Sequence, residues 1–111
     1  MRMIAQGFYL EEINPECIVN NLSRLTDKPV YITENGCYSD NDDIRIAFLS
    51  VYLSAVREAI DLGTDVRGFL YWSFLDNYEW YSYIPRFGLY SVDRKTFERI
   101  PKTVRGFMVK L

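Results

Sequence analysis

Two groups of residues in this 111-residue sequence have types and spacing suited to chemistry. The first is Glu34, in Val30-Tyr31-Ile32-Thr33-Glu34-Asn35-Gly36. Val30 to Thr33 are β-branched or aromatic and read as a short buried strand, and Asn35-Gly36 favours a turn. Glu34 is thus expected at the carboxyl end of a strand, the edge where α/β sheets and barrels bind ligands. The second group is Trp72-Ser73-Phe74-Leu75-Asp76-Asn77-Tyr78-Glu79-Trp80, which follows another apolar run. A carboxylate can hydrogen-bond two adjacent sugar hydroxyls, and an indole offers a flat platform to the apolar face of a pyranose. Trp72, Glu79 and Trp80 on one rim with Glu34 would suit a carbohydrate. The competing reading makes Glu34 a solvated loop residue, buries both tryptophans in the core and pairs Glu79 with Arg86.

Composition removes other classes of function. The formal charge of −2 offers no electrostatic case for nucleic acid or a membrane surface, and no apolar run is long enough to span a bilayer. There is no histidine, so no His-based triad or His metal site can be built within this chain. Cys17 and Cys37 lie in no metal or redox spacing; free thiols in a reducing compartment are the default, with a disulfide left open. Met1 to Leu10 lacks an apolar signal core and runs into Glu11-Glu12, so a cytoplasmic location is the expectation. Ser39-Asp40-Asn41-Asp42-Asp43 lacks the glycine and distal glutamate of a calcium loop and reads as helix caps. No cofactor is implied.

The elements that must position the two groups follow in order. Residues 1–13 are weakly patterned and expected to be irregular. Asn14-Pro15-Glu16 reads as a helix start, with Ile18, Val19, Leu22 and Leu25 at helical spacing and an end near Thr26 to Lys28, ahead of Pro29. The strand to Glu34 comes next. Asp40, Asp42 and Asp43 are candidate caps for a second helix from about Asp42 to Leu62, with Ile46, Leu49, Leu53, Val56 and Ile60 as its buried stripe and Gly63 as a left-handed cap. Asp65 to Ser73 carries the unbroken run Phe69-Leu70-Tyr71-Trp72, the pattern of a strand buried on both faces of a parallel sheet. Gly88 to Val92 is expected to be a short extended arm, and Pro101 to Leu111 a final helix with Val104, Phe107 and Met108 on its apolar side. Helix, strand, helix, strand, helix implies an α/β fold with parallel strands. Two such strands are a poor complete domain, so the chain reads as a single partial domain of a larger α/β protein.

Ile32-Thr33-Glu34-Asn35-Gly36 resembles the nucleophile motif of the family 1 glycoside hydrolases, the β-glucosidase family. Asn14-Pro15-Glu16 resembles the family's helix start upstream, and Asp43 to Ile60 the helix that follows. Asp65 to Phe69, Trp72 to Trp80, Arg86-Phe87-Gly88-Leu89-Tyr90, Val92-Asp93 and Lys95-Thr96 keep the family order, so the likeness covers about Ile13 to Lys102. It implies the carboxy-terminal part, about strands seven and eight with flanking helices, of a (β/α)8 barrel that hydrolyses β-glycosides with retention. On that likeness Glu34 is the nucleophile, Trp72 flanks the glycone, Glu79 bonds its hydroxyls, Trp80 completes the pocket and Phe87 lies near it. Retention requires a second carboxylate about 5 Å from the first, acting as acid and then base.

That second carboxylate has no counterpart here. The family's acid/base glutamate sits in an Asn-Glu-Pro motif on an earlier strand, and Asn14-Pro15-Glu16 has the wrong order and place. The family's pocket histidine and glutamine, and the tyrosine that orients the nucleophile, also come from earlier strands. Tyr81-Ser82-Tyr83-Ile84-Pro85 lacks the family's glycine and one further residue. Tyr52 stands where the family helix often has histidine. Two functions of different class therefore compete. One is a β-glucosidase-type segment that acts on a β-glycoside or small oligosaccharide once a complementary barrel fragment, or self-association, supplies the missing strands. The other is a non-catalytic carbohydrate-binding or interaction fragment.

Overall fold

Local signals account for most element boundaries in the computed structural model, which describes residues 13–25 and 27–111. The first helix, α1, spans Glu16–Leu25; the carbonyls of Asn14 and Pro15 accept hydrogen bonds from Cys17 and Ile18, so the proline sits in the entry turn. The first strand, β1, spans Val30–Asn35 and carries Glu34 within it rather than just beyond it. The long helix α2 spans Asp42–Asp61. Its N-cap is Asn41, whose side chain accepts from the backbone N–H of Asp43 at 2.9 Å, while Asp42 and Asp43 lie in the first turn, where the helix dipole favours negative charge. At the other end Thr64 N donates to Ala59 O and Gly63 N to Ile60 O, with Gly63 at φ +101°. That paired pattern around a left-handed residue is a Schellman cap, which glycine adopts without a steric penalty. The second strand, β2, spans Val66–Tyr71.

Strands β1 and β2 are parallel neighbours, with Val30 opposite Val66, Tyr31 opposite Gly68, Ile32 opposite Phe69 and Asn35 opposite Tyr71. Helix α2 makes the crossover between them. A short antiparallel pair follows: β3, Tyr90–Val92, against β4, Arg99–Pro101. Residues 90–92 therefore form the hairpin arm that the sequence suggests, but their partner β4 occupies residues assigned in part to the last helix. That helix, α3, spans only Thr103–Met108. Val104 fixes it in place: its side chain is fully buried and its N–H donates to Asp42 Oδ2 at 2.7 Å, at the start of α2.

Two expectations about burial are corrected. Leu49 and Val56 lie in the buried face of α2, but the face is completed by Arg45, Phe48, Tyr52, Ala55 and Ala59, while Ile60 is 43% exposed. The helix packs on α1, α3 and β2 together, so the face it buries is rotated and broadened relative to a single stripe. The strands are not buried on both faces either: Tyr31 is 59% and Leu70 54% exposed. A parallel strand draws burial from neighbours on both edges and layers on both faces, and the described residues supply one edge of each strand. The irregular start expected for residues 1–13 lies, apart from Ile13, outside the described residues, as does Thr26. Cys17 and Cys37 form no disulfide with one another. Among the described residues no helix is long and apolar enough to cross a membrane.

Candidate functional site

Parallel pairing brings the ends of β1 and β2 side by side. Asn35 O accepts the N–H of Trp72 at 2.9 Å, so pairing continues one residue past the end of β2. At Gly36 the backbones approach so closely that a Cβ would lie 1.7 Å from Trp72 O. Only glycine fits there, and Glu34 lies two residues before this close approach, near the end of β1. Glu34 is exposed.

The segment after Trp72 is held by backbone contacts with residues 87–90. Leu89 N donates to Ser73 O at 3.0 Å, Tyr90 N to Phe74 O at 3.1 Å and Asp76 N to Tyr90 O at 2.9 Å. The Trp72–Ser73 peptide is cis. Beneath it, Tyr71 Oη donates to Phe87 O at 2.8 Å, and burial pushes the phenol well above its ordinary range. The loop then returns to the rim: Trp72 Nε1 donates to Glu79 Oε1 at 2.9 Å, and Glu79 is buried. Glu79 and Ser82 exchange both backbone hydrogen bonds, at 2.8 and 3.0 Å, around Trp80 and Tyr81. Both turn residues have positive φ, +43° and +72°, the pattern of a type I′ turn made without glycine. Trp80 and Tyr81 project from it, 80% and 89% exposed. Tyr78 and Tyr83 pack across the turn as a tilted pair with centroids 4.8 Å apart, and Arg94 lies 4.5 Å over the Tyr83 ring.

The expected burial of both tryptophans and the expected Glu79–Arg86 pair are not observed. Neither tryptophan lies in the core, since Trp72 is 39% exposed. Glu79 is engaged by the Trp72 indole, whereas Arg86 faces Asp40 at 3.7 Å. Phe87 is placed differently from the other site residues: its ring is buried, with its centroid 6.3 Å from that of Tyr38, and its carbonyl accepts from Tyr71 Oη. Glu34, Trp72, Glu79 and Trp80 are thus carried by the paired strand ends and the loop that follows β2.

Sequence reasoning missed the groups that hold this rim. Arg45 is 1% exposed on α2 and bonds Asp42 and the Ser39 carbonyl, and its Nη2 donates to Arg86 O at 2.7 Å. It joins the loop after β1 to the segment after Ser82. Asp76, inside the Trp72-to-Trp80 motif, is also buried and is paired with Lys102. A charged residue at a helical position that faces inward is the signal that a strict apolar stripe discards. Ser39, Asp40, Asp42, Arg45, Arg86 and Lys102 line a cavity of about 340 Å³ that includes none of the four rim residues. Among the described residues no three His, Cys, Asp or Glu side chains are grouped to hold a metal ion.

An exposed carboxylate can attack an electrophilic carbon, and an indole with a carboxylate beside it can hold a sugar; protonation of a leaving group requires a further acid. Comparisons with known proteins place the chain among relatives of one family. The model of the family described as glycosyl hydrolase family 1 matches residues 10–111. Beta-glucosidase 47 of Arabidopsis thaliana is 42% identical over 94 residues, covering 78% of this chain and 18% of that protein. The bifunctional beta-D-glucosidase/beta-D-fucosidase of Bifidobacterium breve is 40% identical over 110 residues, covering 81% of this chain and 24% of its own length. A family 1 β-glucosidase from Thermotoga maritima, solved with isofagomine lactam, superposes with a TM-score of 0.86 at 31% identity, covering 99% of this chain and 28% of that one. The chain spans about a fifth to a quarter of the length of these curated relatives. Its fold is that of a segment of their barrel, two adjacent strands with their helices.

Proposed function

The chain belongs to glycosyl hydrolase family 1, and on that premise we propose that it is the nucleophile-bearing, glycone-binding segment of a retaining β-glucosidase. The observation that supports the reading is the pairing of strand ends through Asn35 and Trp72, with Glu34 next to Asn35 on one strand and Glu79 bonded to the Trp72 indole beyond the other. Glu34 attacks the anomeric carbon of a β-glycoside; the C1–O bond to the aglycone breaks, and a glycosyl ester forms on the carboxylate. Glu79 accepts hydrogen bonds from glycone hydroxyls through the oxygen that Trp72 leaves available, and Trp72 and Trp80 offer their faces to the ring. Phe87 supports the pocket from below through its backbone.

The leaving oxygen needs a proton, and water must later be activated. Glu79 is committed to Trp72 and is not the group for either task. Barrel strands outside these 111 residues, pairing with the open edges of β1 and β2, supply that acid/base. The isolated chain is expected to release no aryl aglycone from an aryl β-glucoside. Mixing it with the separately expressed remainder of a relative's barrel is expected to restore release, and Glu34→Gln to abolish it by at least about 10³-fold. Turnover by the chain alone, or restored turnover that survives Glu34→Gln, would sink the proposal.

The intact Trp72–Glu79 pair also favours a second reading, a non-catalytic carbohydrate-binding fragment. Calorimetric titration with glucose or cellobiose tests it; no heat at millimolar sugar leaves it empty.

A further inference from the structure

The loop from Trp72 to Glu79 has a charged anchor at its middle. Asp76 makes four polar contacts: its N–H donates to Tyr90 O at 2.9 Å, its carbonyl accepts from Arg94 Nη2 at 2.7 Å, and its Oδ1 accepts from Gly88 N at 2.8 Å and Lys102 Nζ at 2.7 Å. The two side chains of the Asp76–Lys102 pair are only 9% and 14% exposed. A carboxylate removed from water to that degree needs a cationic or hydrogen-bonding partner to stay ionised. Lys102 caps α3 and grips the same neighbourhood twice, because its own N–H donates to Leu89 O at 2.9 Å. Gly88 leaves no slack between them: a Cβ there would lie 2.3 Å from Asp76 N. A shift of Asp76 is therefore passed directly into the loop backbone.

We propose that Lys102 is a positioning residue for the sugar site: through Asp76 it holds the Trp72–Glu79 loop in the shape that closes the indole–carboxylate hydrogen bond. The inference rests on the reading of that rim as a sugar site, but its structural half stands on the loop alone. Lys102 lies thirty residues beyond Trp72, on the segment joining β4 to α3. The carboxy-terminal segment thereby does more than cover α2; it tunes how Glu79 is presented. Burial lowers the Lys102 ammonium below its ordinary range, and the hydrogen bond to Asp76 opposes that.

The test uses the full chain and its two tryptophans. Trp80→Phe assigns the ring and indole N–H signals of Trp72 by difference in NMR spectra. In Lys102→Met the Trp72 indole N–H is expected to move toward its solvent-exposed position, with β1 and β2 amides unchanged; Lys102→Arg is expected to keep it in place. If Lys102→Met alone does not fold, Lys102→Met with Asp76→Asn removes the buried uncompensated charge, and the same indole shift is expected. An unmoved indole signal in a folded Lys102→Met or double variant overturns the proposal, as does loss of fold in the double variant, which would assign the pair to folding alone. Titration with methyl β-glucoside separates this inference from the functional reading. Affinity is expected to fall about tenfold in Lys102→Met and return in Lys102→Arg. An indole shift in a chain that binds no glucoside removes the free-standing carbohydrate-binding reading and leaves the positioning role; binding unchanged by Lys102→Met removes the role and leaves that reading.

Discussion

Trp72 Nε1 donates to Glu79 Oε1 at 2.9 Å, closing a loop across a separation of seven residues by a bond between its two chemically distinctive side chains. Glu79 is 8% exposed, so the indole is a substantial part of what replaces its water. Trp72→Phe keeps an aromatic face and removes the donor. It is expected to destabilise the chain by about 1–3 kcal/mol, the cost of a buried acceptor left unmade. Glu79→Gln keeps an acceptor oxygen and should cost less. Urea titration of both variants checks the order.

The contact between Gly36 and Trp72 leaves no space for a methyl group, with 1.7 Å between the Cβ position and a backbone oxygen. Gly36→Ala must push β1 and the start of the second loop apart, at a cost of about 3 kcal/mol or more. The expected signature is loss of amide protection at Trp72, whose N–H bonds Asn35 O, measured by hydrogen exchange.

Backbone conformation predicts opposite signs at two exposed positions. Phe97 has φ +59° and is 69% exposed, so Phe97→Gly should stabilise the chain by about 1 kcal/mol by removing the left-handed penalty. Gly63 has φ +101° with nothing within 4 Å of a Cβ, so Gly63→Ala should cost about 1 kcal/mol through the backbone alone. Thermal unfolding of the two variants tests the pair.

Acid should loosen the turn between β3 and β4. The N–H groups of Thr96 and Lys95 hold the Asp93 carboxyl below its ordinary value of 3.8. A carboxylate with a depressed folded-state pKa contributes stability that is present above the unfolded value and lost as pH falls through the folded one. Amide exchange in Tyr90–Val92 should therefore accelerate below about pH 4 beyond the intrinsic rate. Asp93→Asn should flatten that dependence; an unchanged profile would exclude the turn as its source.

Much of the framework was legible along the chain because its signals are local. Asn14-Pro15 opens α1, Asp42 and Asp43 mark the first turn of α2 although its cap is Asn41 and none of the three candidate aspartates, Gly63 closes that helix, and the β-branched run at residues 30–33 becomes β1. The order of motifs around Glu34 also led to the family that the comparisons show. The hairpin of β3 with β4 was half legible, because Arg99–Pro101 is short and contains a proline that donates no ladder hydrogen bond. The rotated face of α2 was hidden because Arg45, charged and fully inside, breaks the apolar pattern that marks a buried stripe.

The sequence by itself determined α1, β1, α2 and β2, the place of Glu34 at a strand end and the family, since backbone preference and motif order are properties of neighbouring residues. Only the tertiary structure decided that Glu79 belongs to Trp72 rather than Arg86, that Phe87 turns its ring inward, and that Asp76 is secured by Lys102. Those choices depend on which polar groups lose water together. Burial and distance across the fold set that outcome, and spacing along the chain does not encode it.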